Sequence, residues 1–106
     1  MKPYFTKHDA VVGLHERGFT EDFELFGNDL LWIQGKIFLR PKDFSITEVH
    51  HFPELSGKET IIFGVYSHRY STGGILFNHF KTYTDKLPPV IIRKLILMDS
   101  NHSNLQ

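Results

Sequence analysis

The run Thr60 to Ser67, Thr-Ile-Ile-Phe-Gly-Val-Tyr-Ser, constrains the fold of this chain more than any other segment. Successive residues of a strand point to opposite faces. Both faces of this run are apolar, which suits a central strand rather than an edge. The rest of the chain must then supply partner strands. Its residue types agree: nine Ile, five Val, seven Thr, ten Phe and four Tyr stand against a single Ala, Ala10. β-branched and aromatic residues fit a pleated, half-buried surface, and the best helix former is almost missing. A sheet with one or two helices is expected, not a helical bundle.

Turn and cap signals divide the remainder. Thr6 is a candidate N-cap for a helix over 7–17, with Asp9 three residues on. Val11 and Leu14 share one face of that helix, and Gly18 suits the left-handed residue that follows a helix end. Phe23–Phe26 and Leu30–Ile33, split by Gly27-Asn28-Asp29, read as a hairpin. Ile37–Leu39 extends the sheet, and Pro41 makes Arg40 to Phe44 a connector. Ser45 to Phe52 alternates, with Ile46, Glu48, His50 and Phe52 on one face and Thr47, Val49 and His51 on the other. Pro53 to Lys58 is a loop, and Ser71-Thr72-Gly73-Gly74 is a turn. Ile75 to Phe80 is a further strand, with a helix as the weaker alternative. Pro88-Pro89 opens a second helix over about 89–98, its apolar face holding Ile91, Ile92, Leu95 and Met98. Residues 99–106 are polar and read as a frayed tail. The expected fold is one α+β domain over 1–98: an N-terminal helix, an antiparallel sheet of about five strands and a C-terminal helix.

Several function classes are disfavoured at once. A length of 106 residues supports one domain. The 12 Lys+Arg balance the 12 Asp+Glu, so no basic excess favours nucleic acid. With no cysteine there is no disulfide, thiolate metal site or thiol nucleophile. No apolar stretch reaches the ~18 residues of a membrane span. Met1-Lys2-Pro3-Tyr4 lacks a signal-peptide core, so a cytoplasmic protein without a membrane partner is expected.

Three segments resemble a known family. They are Arg17-Gly18-Phe19-Thr20-Glu21-Asp22-Phe23-x-Leu25, then Leu39-x-Pro41-x-Asp43-Phe44-x-Ile46-x-Glu48-Val49-x-x-Phe52, then Gly74-x-Leu76 with the run Tyr83 to Pro89. Over residues 6 to 97 this is similar to small bacterial proteins of about this length that are often labelled phosphoribosylpyrophosphate synthetase. Members tend to carry Tyr-Arg where this chain has His50-His51. The label implies pyrophosphoryl transfer, which needs a phosphate cradle, metal-binding carboxylates and a large cleft. The one echo is Ser71-Thr72-Gly73-Gly74, and an acidic pair should precede such a loop. Ser67-His68-Arg69-Tyr70 stands there instead. A hairpin turn is the simpler reading of those glycines.

Seven histidines are the other unusual feature. His50 and His51 are neighbours on a strand and face opposite ways, so they do not share an ion. Glu48 and His50 share a face, and His68 or His79 from a neighbouring strand could complete a histidine–carboxylate site. Ordinary surface and cross-strand histidines remain the default, and no cofactor or metal is expected. No Gly-x-Ser-x-Gly elbow supports a serine hydrolase. Asp22 and Asp43 each precede a phenylalanine, a pattern that suits a carboxylate capping local backbone donors while the ring anchors the core. The expected function is a non-catalytic binding or interaction module that forms a homodimer, with a small ligand or protein partner. The alternative is a small enzyme, metal-dependent or phosphoribosyl-phosphate-binding. Candidate ligand residues are Ser71, Thr72, Gly73, Gly74, Glu48, His50 and His68.

Overall fold

The computed structural model describes residues 4–54, 59–80 and 89–103. Helix α1 (Lys7–Glu16) is capped by Thr6, whose hydroxyl accepts from the Asp9 N–H at 3.0 Å. It ends at Arg17, and Gly18 follows with φ +97°, the left-handed conformation that its position predicts. Strands β1 (Phe19–Phe26) and β2 (Asp29–Trp32) form the expected hairpin. β3 (Ile37–Leu39) adds to β2, and a 3-10 turn (Pro41–Asp43) leads into β4 (Ser45–Pro53). β5 (Glu59–Ser67), β6 (Thr72–Phe80) and helix α2 (Pro89–Ser103) complete the chain.

The sheet has six strands in the order β3-β2-β1-β6-β5-β4. The expected α+β class with an N-terminal and a C-terminal helix holds; the sheet has six strands where about five are expected, and one pair is parallel where all are expected antiparallel. Two antiparallel meanders, β1-β2-β3 and β4-β5-β6, meet along one parallel pair, β1/β6. β5 has a neighbour on each side, as its doubly apolar pattern requires. Ile75 to Phe80 is strand rather than helix. α2 runs five residues past the expected end at 98, so the tail assigned to 99–106 is helical as far as Ser103. Gly74 shows why the parallel seam is possible: a Cβ there would lie 2.4 Å from the Glu21 carbonyl oxygen.

β3 and β4 are the two edges, yet only residues 40–44 join them. Six Cα steps span at most ~21 Å. Five interstrand gaps of a flat sheet span ~24 Å. The sheet must therefore curl, with its edges drawn together. The concave side holds the larger core, where Leu39, Phe44 and Ile46 meet Phe23, Phe63 and Ile91 of α2. The convex side carries a smaller core: Ala10 and Leu14 of α1 on Phe52, Ile62 and Ile75.

β4 is not a simple alternation. Ile46 pairs with Val65 and Glu48 with Gly64, so Thr47 is an extra residue in the ladder. This bulge reverses the parity of the strand. Ile46 enters the concave core, whereas Glu48, His50 and Phe52 lie on the α1 side. The expectation that all four share a face is corrected at Ile46.

Candidate functional site

Glu48 is a carboxylate buried to 9% exposure under the C-terminal end of α1. The room comes from Gly64 opposite, where a Cβ would sit 2.7 Å from the Glu48 Cγ. Arg17 donates to both carboxylate oxygens, from Nη1 at 2.7 Å and from Nη2 at 2.5 Å. His50 Nε2 donates to Oε1 at 2.7 Å. Arg17 Nη2 also donates to the Tyr4 hydroxyl at 3.0 Å, and the Tyr4 and His50 rings lie 4.9 Å apart. The Arg17 guanidinium stands over the rings of Tyr4 and Phe19.

The electrostatics of this cluster follow from those contacts. Burial alone would raise the Glu48 pKa. The hydrogen bonds from Arg17 and His50 outweigh it and hold the carboxyl below its usual range. The same bond to Glu48 raises the Arg17 pKa against the opposing effect of desolvation. A bidentate guanidinium–carboxylate pair is geometrically specific as well as strong. A carboxylate held this acidic, with three donors in place, is a weak general base near neutrality. The arrangement fits a structural tie between α1 and the edge strand.

The candidate residues are thus divided. Glu48 and His50 come together. His68 stands apart from their hydrogen-bonded cluster, in the turn after β5, exposed and edge-on to Tyr66 at 5.0 Å. Ser71 closes that turn, directly before β6, with φ +49°. Thr72, Gly73 and Gly74 are not turn residues but the start of β6, inside the sheet between β1 and β5. The side chain of His79 lies outside the described residues. Among the described residues, no three His, Asp or Glu side chains gather as a metal would require. Asp43 accepts from the Arg40 N–H at 3.1 Å beside buried Phe44, as its sequence context suggests. Asp22 differs: its carboxylate accepts from the Gln34 side-chain amide at 2.7 Å. Tyr4 and Arg17 are not among the expected site residues; Arg17 stands out as a charge at a helix end and as the first residue of the family-like segment, and Tyr4 carries no signal. Gly64 in an otherwise apolar strand, across from Glu48, marked the space that the carboxylate fills.

Among the described residues, further concavities lie elsewhere. One, of about 210 Å³, is lined by α2 together with Asn28 and Pro41. A shallower one is lined by Lys7, His8, Val11 and Phe77. Neither includes Glu48 or His50. No described helix is long and apolar enough to cross a membrane. No protein-family model, curated protein or solved structure matches the chain.

Proposed function

We propose that this protein is a non-catalytic interaction module that self-associates through the convex face of its sheet. The observation that carries this reading is a pair of exposed rings. Phe26 and Phe38 are 51% and 56% exposed and meet edge-to-face at 5.5 Å. β1 to β3 places Leu31 between Glu24 and Phe38 on the same side. α1 packs chiefly on β1, β6 and β5, and leaves Phe26 and Phe38 exposed. Contiguous exposed apolar surface of this kind marks interaction sites. A formal net charge of zero does little to hold copies apart.

Face-to-face contact suits the pair better than edge pairing. Antiparallel self-pairing of β3 about Phe38 would set Lys36 against Arg40 of the other copy, and like charges directly opposite destabilise a ladder. The acidic, fully bonded Glu48 also weighs against the alternative of a small histidine–carboxylate enzyme. Gly73 and Gly74 serve strand packing, which weighs against a phosphate cradle at Ser71 to Gly74. The purified protein is expected to form no phosphoribosylpyrophosphate from ATP and ribose phosphate; AMP formation dependent on both substrates would overturn this. Light scattering at micromolar concentration is expected to give a dimer, and Phe38→Asp a monomer. A 12.4 kDa particle for the unaltered chain would refute self-association.

A further inference from the structure

The concavity at the mouth of the curled sheet has a composition that selects a ligand. Its walls are Pro41 from the connector and Val90 and Leu97 from α2, and its polar groups are Asn28, Arg93 and Lys94. Among the described residues, no acidic side chain lines it. Lys94 Nζ donates to the carbonyl oxygens of Pro41 at 2.6 Å and Phe44 at 2.5 Å, and stands 4.3 Å from the Phe44 ring centroid. These partners are dipoles and a ring face, so the ammonium charge is solvated but not neutralised. Arg93 is exposed, one residue away, and forms no ion pair among the described residues. Two cations thus stand beside an apolar wall in a chain whose net charge is zero. Burial lowers the Lys94 pKa, which is the electrostatic cost that a bound anion would relieve.

We infer that this cleft binds a small organic monoanion: a carboxylate on a short apolar body, with the carboxylate between Arg93 and Lys94 and the body against Val90, Leu97 and Pro41. At about 210 Å³ the cleft is smaller than the ~300–1,000 Å³ of sites for drug-sized molecules, so the ligand is small rather than a folded segment or a long chain. The Asn28 amide, also in the lining, offers a further hydrogen-bond donor. The site is independent of the convex surface assigned to self-association, because α2 packs on the other face of the sheet.

Amide chemical shifts of the isotope-labelled protein, titrated in parallel with octanoate, octan-1-ol and octylammonium, test this. Octanoate is expected to give saturable shifts at Asn28, Val90, Arg93 and Leu97, and to bind at least about tenfold more tightly than either other probe. Arg93→Glu, at an exposed position, is expected to weaken octanoate by about tenfold with an unchanged spectrum elsewhere. Lys94→Met would remove a brace of the connector as well as a charge, so Arg93→Glu is the deciding variant. Equal binding of octanol, preference for octylammonium, shifts confined to other surfaces, or indifference to Arg93→Glu would each overturn the inference.

Discussion

At the scale of residues, Glu48 concentrates the consequences. Glu48→Ala strands Arg17 and leaves a hole beneath α1. Hydrogen bonds to charged groups contribute ~1.5–3 kcal/mol each, and Arg17 and Tyr4 stay partly solvated. A net loss of about 2–3 kcal/mol is expected, read as a lower urea midpoint with an unchanged slope. The pH dependence has a definite sign. The folded-state pKa of Glu48 lies below the usual value of 4.5, so the native state holds its proton less tightly than the unfolded chain. Its stabilisation is complete above that usual value and is lost as pH falls through the lower folded value. Urea midpoints should therefore drop on acidification below 4.5, less steeply in Glu48→Gln; parallel curves would contradict this. Arg17 keeps its charge throughout. Because His50 is committed to Glu48 and, among the described residues, no third ligand stands by, zinc should leave the melting temperature unchanged. Ligand at a hundredfold excess over Kd would contribute ~2.7 kcal/mol. A zinc-dependent rise that His50→Ala abolishes would establish a metal site instead.

At the scale of elements, the parallel seam and the connector carry the risk. Gly74→Ala would drive a methyl group into the backbone carbonyl of Glu21, which cannot rotate away as a side chain can. The expected cost is about 3 kcal/mol, at the upper end for overpacking, and hydrogen exchange should quicken first in β1 and β6. A variant as stable as the parent would mean that the seam relaxes more readily than its geometry implies. Lys94→Met would leave the carbonyls of Pro41 and Phe44 without their shared donor. About 2 kcal/mol of destabilisation is expected, by thermal melting.

At the scale of the whole molecule, local pattern and global arrangement separate cleanly. Strand alternation, caps and turn residues are properties of neighbouring residues. They placed α1, the turn of the β1/β2 hairpin, β5 and the start of α2 within a residue or two, because each depends on side-chain period or a terminal hydrogen bond, whereas β1 begins at Phe19, four residues before the apolar run that marks it. A sequence cannot announce where one meander meets the other. Pairing β1 with β6 joins segments some fifty residues apart, and the evidence for it is negative: glycines at 73 and 74 where a strand wall needs to come close. Those glycines look like a turn until their partner is known. The bulge at Thr47 is equally silent, since an extra residue in a ladder is defined only against the opposite strand. It turns Glu48 beneath α1 and Ile46 into the other core. Sequence by itself determined the residue types, the existence of most elements though not all their bounds, and the absence of cysteine from this chain. Tertiary structure alone decided the curl of the sheet, the meeting of Tyr4, Arg17, Glu48 and His50, and the cleft beside Arg93 and Lys94. The reason is that these depend on distances between segments remote in sequence, which no local periodicity encodes.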